Sequence, residues 1–325
     1  MAAYLANRLA QAVLVVFVVS VLAFLLADSV GDPVASILGL EASAADREAL
    51  RARLHLDDPI VIRYARSLAE PLRGNLGTSY TAQRPVSELL AERIPASVEL
   101  AGAALILSLS IGVPIGLYGA VRRGRIDAGL LMGFSIIGVS LPSFFLGILL
   151  ILGFSLGLGL LPPFGRGEVI SLGHWSTGLL TASGLKSLIM PALSLALGQV
   201  ALVARLTRAE MLDVLRTDYI RFARARGLTS RAIHLGHALR NTWIPIITVS
   251  GIQLGYLLAF AVVIEQVFQW PGMGLLFLQA LEQSDMPVIT AFLLAATLAF
   301  VGINLAVDLL YVAVDPRIRQ SAKAS

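Results

Sequence analysis

An all-α membrane protein, with six transmembrane helices and a small extracytoplasmic cap between the first and the second, is the fold class that the sequence predicts. Three observations carry this. Hydrophobic residues fill 57% of the 325 positions and charged ones only 14%, and the mean hydropathy of +0.80 lies outside the range of a soluble domain. Apolar runs of about 20 residues, the length that crosses a hydrocarbon core of roughly 30 Å, recur along the chain. Lys and Arg gather beside particular runs instead of spreading evenly.

The six runs are Leu9 to Ala27, Val98 to Gly119, Leu130 to Leu156, Leu188 to Leu206, Trp243 to Ile264 and Val288 to Val312. The first follows Arg8 and precedes small residues, as a signal peptide would, but it is too long for a signal h-region and is read as a span. Pro114, Pro142 and Pro245 fall within or at the start of spans, which fits a cavity or moving parts as well as ordinary packed kinks. The chain has no cysteine, which excludes disulfides, thiolate metal sites and cysteine nucleophiles.

Between the first two runs lies the main polar stretch, residues 29–95. Asp57 and Asp58 before Pro59 predict a helix start, and Gly74 ends a helix that runs to about Arg73. A second helix is predicted from Ala44 to Leu56, where Arg and Glu interleave around Leu50 and Leu54. No repeat or low-complexity linker divides the chain. The predicted organisation is therefore an N-terminal helix (1–28), the cap (29–95), a five-helix core (96–312) and a tail (313–325), with a cytoplasmic loop at about 207–242 inside the core.

Orientation follows the basic residues. Arg122, Arg123 and Arg125 lie between spans two and three, eight arginines lie from Arg205 to Arg240, and Arg317, Arg319 and Lys323 lie in the tail. These segments belong inside, so both termini are expected in the cytoplasm. The short connection from Glu265 to Pro287 has no Lys or Arg. The eight arginines from Arg47 to Arg93 sit in a loop of over sixty residues, and such loops translocate largely regardless of charge.

The cytoplasmic stretch from Thr217 to Leu228 carries the most information. Asp218 suits a helix start and Gly227 a helix end, while Tyr219, Phe222, Ala223 and Arg226 recur at i, i+3, i+4 and i+7. So short a helix is marginal alone and must be held by packing. An aromatic face flanked by Arg suits docking into a partner's groove, and it equally suits an interfacial amphipathic helix.

The run Ala223-Arg-Ala-Arg-Gly227-Leu-Thr, followed by His237-Ala-Leu-Arg-Asn241 and Pro245, resembles the cytoplasmic EAA loop of ABC importer permeases of the dipeptide, oligopeptide and nickel group. The resemblance extends through Gly31-Asp-Pro33, Arg73-Gly-Asn-Leu-Gly77-Thr-Ser79, Ser140-Leu-Pro142-Ser-Phe144, Phe268-Gln-Trp270-Pro-Gly272-Met-Gly274, Asn304 with Asp308, and Asp315-Pro-Arg317. The set is similar to the B-type permease of such systems. It implies one helix preceding a five-helix importer core in a bacterial cell membrane, with coupling to the ATPase through Tyr219, Phe222, Ala223, Arg226, Gly227, His237 and Asn241. It also implies a second homologous permease, one or two cytoplasmic ATPase subunits and an extracytoplasmic substrate-binding protein docking near Asn75 and Trp270. Arg221 stands where the generic pattern has Glu, Asn75 where Asp is usual, and Gln283-Ser284 with Asp285-Met-Pro287 where Arg and Asp-Tyr-Pro are common.

Other constellations are sparser. His234 and His237 lie three apart, but no carboxylate or cysteine completes a metal site, and a structural or docking role suits them better. Asn304 and Asp308, four apart in the last span, join Pro142 as gating or path candidates, although Asp308 also lies near enough to the interface to pair with an Arg there. The only lysines, Lys186 and Lys323, follow no glycine-rich phosphate loop, so ATP and Mg are expected on partner subunits and no cofactor on this chain. No catalytic motif marks an enzyme and no feature calls for nucleic acid. An ion-coupled secondary transporter would show intramembrane charges and repeated halves, whereas these spans are nearly charge-free. The spans contain no histidine and, apart from Glu99, Asp308 and the terminal Glu265, no carboxylate. That lining suits peptides recognised elsewhere, with a nickel or metal-chelate cargo as the alternative.

The lack of native cysteine makes the orientation testable. A single cysteine replacing Ser67 is expected to react with an impermeant thiol reagent on intact cells, and one replacing Ser230 only after permeabilisation. The opposite labelling pattern would invert the topology.

Overall fold

The computed structural model describes residues 2–29, 34, 38, 43–53 and 55–314. The Gly31-Asp-Pro33 and Asp315-Pro-Arg317 motifs, Arg319 and Lys323 lie outside the described residues, as does all but the start of the 313–325 tail.

Helix α1 (Ala2–Ser29) is followed by α2 (Ala44–Arg53) and α3 (Ile60–Leu72). The long α4 (Val86–Val121) leads to α5 (Ile126–Ser140) and α6 (Ser143–Leu150), which runs into a π-helical turn at Ile151–Gly157. A hairpin of β1 (Ile170–Leu172) and β2 (Trp175–Thr177) precedes α7 (Ala182–Val214) and the short α8 (Asp218–Ala225). A second π-helical stretch, Ala232–Ala238, opens α9 (Leu239–Val267), and α10 (Met273–Glu282) and α11 (Met286–Val314) complete the described chain.

Five of these helical stretches, Asn7–Leu26, Val86–Val121, Ala182–Val214, Ala232–Ala259 and Met286–Leu309, are long and apolar enough to cross a membrane. The third predicted span is a broken one, α5 followed by α6. Pro142 has no amide hydrogen to continue the ladder and forces the residue before it out of the helical region. Leu141 accordingly sits at φ −101°, ψ 135°. Pro245 lies inside the uninterrupted α9, and α4 likewise runs through Pro114.

The two predicted cap helices are present, slightly shorter than expected. Pro59 itself stands at the N-cap of α3, where its ring can make no side-chain bond, and Asp58 turns to Arg66 at 3.0 Å and His55 at 3.6 Å. Several helices end in the same way, the residue after the cap in the left-handed region and two backbone bonds folding back. Gly74 and Gly227 serve at two ends, at φ +82° and +80°. Gln269 and Ser284 serve at two others, at φ 46° and 52°, where a side chain costs roughly 1–2 kcal/mol.

The chain divides into two compact units, one built from residues 1–97, 171–177 and 271–302, the other from 98–170, 178–270 and 303–325. In the first, α3 packs on α1 through Tyr64, whose hydroxyl lies 2.8 Å from that of Ser20 and whose ring meets Phe17 and Phe24 edge-on. Its core joins Val86, Leu89 and Leu90 to Ala280, Met286, Val288 and Ile289. In the second, α7 is central and packs against α5, α6 and α9.

Glycines let α4 approach α7. A Cβ on Gly112 would stand 2.8 Å from Val203. One on Gly116 would collide with the Ala204 carbonyl oxygen and stand 2.6 Å from Thr207 Cβ. This small-xxx-small spacing is how helices associate where lipid removes the hydrophobic drive between them. Replacing Gly116 with Ala is expected to destabilise the chain by about 1–3 kcal/mol, seen as a lower melting temperature in detergent. Replacing Gly102, where an added Cβ meets nothing within 4 Å, is expected to be neutral.

Candidate coupling surface

Helix α7, at 33 residues, is about 50 Å long and therefore exceeds a 30 Å hydrocarbon core. Its C-terminal turns carry Met211 and the chain into α8. Thr217 provides the N-cap with no side-chain bond, and Asp218, one residue on, pairs with Arg221 at 3.1 Å. Gly227 closes the helix, its N–H on the Arg224 carbonyl and that of Leu228 on the Ala223 carbonyl.

The four residues grouped by helical spacing divide between two faces. Ala223 is 7% exposed and joins Ile220 in a cluster with Ala120, Met211, Ile233 and Ala238. Tyr219 and Phe222 point outward, 41% and 65% exposed. Arg226 lies over the Phe222 ring, its guanidinium carbon 5.8 Å from the centroid. The spacing rule missed Ile220, which completes the inward face with Ala223, three residues on. Asn241 donates to the Tyr219 hydroxyl at 2.5 Å, so the outer aromatic is tied to the start of α9. His237 and Gly227 are exposed. α8 is thus seated on its own chain by small apolar side chains and presents an aromatic and basic surface outward.

Nearby, the Asp127 carboxyl is held down to about 2, first by the Tyr118 hydroxyl and then by the Ala128 N–H and Arg125. Arg208 Nε donates to the Gly119 carbonyl at 3.2 Å. These contacts fix the turn between α4 and α5 beside the α7 end.

The other candidates are scattered. Pro142 caps α6 at the break in the third predicted span. Asn304 and Asp308 are half-buried on α11 and both are engaged with neighbours. Asn75 is exposed and accepts from the Gly77 N–H at 3.0 Å. Trp270 is 1% exposed, so its loop rather than its ring is what a partner could reach in this conformation. Among the described residues no group of three or more His, Asp or Glu could hold a metal.

Three polar features escaped sequence reasoning. Gln253 and Gln199 bond at 2.5 Å between α9 and α7. Glu99, noticed only as a lone acid, receives Arg166 at 2.6 Å with both side chains at most 6% exposed. Asp285 accepts from Ser79 and Thr81. A lone carboxylate in an apolar run signals the second, but nothing local signals the first or third.

Residues 112–320 match the family described as binding-protein-dependent transport system inner membrane component, and residues 1–101 match the N-terminal domain of the same membrane component. The chain belongs to this family of ABC importer permeases, integral to the inner membrane. It is 38% identical over 97% of its length to the glutathione transport system permease protein GsiC of Escherichia coli, covering 98% of that protein. It is 39% identical over 98% of its length to a Brucella abortus protein provisionally named a peptide transport system permease, covering 99% of it. The fold is similar to a chain of the inward-facing MetNI methionine ABC transporter, with a TM-score of 0.56 and 19% identity over 70% of this chain and 96% of that one.

The two faces of α8 predict different defects. Ala223→Asp puts a charge into the apolar cluster and is expected to lower the thermal stability of the chain by about 1–3 kcal/mol. Phe222→Ala, on the exposed face, is expected to leave the melting temperature unchanged while abolishing substrate-stimulated ATP hydrolysis by the assembled transporter. Normal coupling in Phe222→Ala would remove the outward face from the coupling surface.

Proposed function

We propose that this permease forms half of the path by which an ATP-driven importer admits short peptides delivered by an extracytoplasmic binding protein. The observation that carries the reading is similarity over nearly the whole chain to permeases named for glutathione, a tripeptide, and for peptides. The apolar spans agree with it, since they offer a passage rather than a tight recognition site. Selectivity then belongs to the binding protein, docking on the cap side near Asn75 and the loop of Trp270.

ATP and Mg are held by one or two cytoplasmic ATPase subunits, and a second homologous permease completes the path. Both termini lie in the cytoplasm. Tyr219, Phe222 and Arg226 enter a groove on the ATPase, while Ile220 and Ala223 transmit its closure to α7 and α4 because they are packed against them. Closure biases the transporter between inward-open and outward-open states, and Pro142, Asn304 and Asp308 are the path residues positioned to respond.

Uptake separates the cargoes. Deleting this chain is expected to abolish accumulation of labelled di- to pentapeptides and to leave nickel uptake intact. Unchanged peptide uptake with lost nickel uptake would assign the chain to metal or metal-chelate import instead.

A further inference from the structure

Helix α3 packs alongside the membrane-crossing part of α1, not above it. The Tyr64 hydroxyl lies 2.8 Å from that of Ser20, and the Tyr64 ring meets Phe17. Ser20 stands six residues, about 9 Å, inside the end of the apolar stretch Asn7–Leu26. At that depth α3 borders lipid. Ile60, Val61 and Ile62 in its first turn are exposed, as suits a helix resting where headgroups meet acyl chains.

The same helix carries Arg63 and Arg66, and arginines at such a depth turn toward the polar surface and toward anions. The guanidinium carbon of Arg63 lies 5.8 Å from the centroid of the Phe24 ring. Arg66 meets Asp58 at 3.0 Å, with 40% of its side chain still exposed.

Beside these arginines opens a groove of ≈ 380 Å³, within the range of small-molecule sites. Its wall is graded from polar to apolar. Arg53, His55, Arg63, Arg66 and Glu70 line it on the cap side, and Phe24, Met286, Ala291 and Leu294 continue it along α1 and α11. Met286 begins the apolar stretch Met286–Leu309, and Leu294 lies eight residues, about 12 Å, further along it. All these residues belong to the first compact unit.

That gradient selects the ligand. A soluble anion would use the arginines and leave the apolar wall to water, and an uncharged lipid would do the reverse. A phospholipid satisfies both ends, with its phosphate on guanidinium groups and an acyl chain on the span side. Three arginines line the groove against one carboxylate, Glu70, and Asp58 is engaged by Arg66 and His55. The excess positive charge favours a headgroup without an ammonium of its own.

We propose that this groove is a binding site for an anionic phospholipid of the phosphatidylglycerol type, its phosphate held by Arg53, Arg63 and Arg66 and one acyl chain lying along Phe24 and Leu294. The site is separate from the coupling helix and independent of which cargo the transporter carries.

Native mass spectrometry of the delipidated full chain in detergent tests it, with phosphatidylglycerol and phosphatidylethanolamine of identical acyl chains titrated in turn and glycerol 3-phosphate as a soluble competitor. Phosphatidylglycerol is expected to bind about fivefold or more tighter than phosphatidylethanolamine. The double variant Arg53→Gln/Arg63→Gln should erase that preference, and Arg53→Gln alone, at the exposed end of α2, should reduce it without lowering the melting temperature. Arg231→Gln, an equal loss of charge on the exposed cytoplasmic segment, should leave the preference intact. Equal affinity for the two lipids, a preference that survives in the double variant, or one lost equally in Arg231→Gln would overturn the site. Displacement of the lipid by millimolar glycerol 3-phosphate would also overturn it, as a site for soluble anions. None of these outcomes bears on peptide uptake, so the transport reading stands or falls separately.

Discussion

The close approach of α4 and α7 is the contact on which the second unit depends. In a bilayer, apolar side chains gain nothing by leaving lipid for one another, so helices associate where backbones come near and dispersion contacts are dense. Gly112 and Gly116 on α4 make that possible, because a methyl group at either position would strike Val203 or the Ala204 carbonyl. The same pair of helices then supplies Ala120 and Met211 to the cluster beneath α8. Packing at the glycines and seating of α8 are consecutive turns of one helix pair.

That arrangement explains why α8 needs so few residues. Eight residues form a marginal helix in isolation. Here a left-handed glycine stops it, Ile220 and Ala223 bury against the chain, and Asn241 holds Tyr219 from the side. An element fixed at three points moves with its support. α8 is therefore held to the ends of α4, α7 and α9 as a packed element and not as a free loop.

Much of this was legible from local pattern. The long helices follow from apolar runs, α2 from its interleaved Arg and Glu, α3 from Asp58-Pro59 and Gly74, and the end of α8 from Gly227. Reading failed where neighbours in space decide. Helical spacing grouped Ala223 with Phe222, yet only the cluster from α4, α7 and the Ala232–Ala238 turn determines which side is inward. Pro142 was noted beside Pro114 and Pro245, but it alone coincides with a break. The bond from Thr81 to Asp285 joins residues 204 positions apart, which no period or motif encodes.

Polar groups in the second unit's helices are instructive for the same reason. Gln199 and Gln253 meet between α7 and α9, the Gln253 amide N–H donating to Gln199 Oε1. Glu99 and Arg166 neutralise one another where both are nearly inaccessible. A buried pair of this kind adds little net stability, because desolvation offsets the attraction, but removing one partner leaves an uncompensated charge. Such pairs therefore constrain arrangement more than they add energy. Arg166 lies in the segment between α6 and α7, and the Gly165 N–H just before it bonds the Phe268 carbonyl at 2.9 Å. The ion pair holds that segment to α4 and the backbone bond holds it to the end of α9, so a motion that parts those helices must stretch the segment or break one of the two contacts. Discrete arrangements, rather than a continuum of shapes, are what that constraint favours.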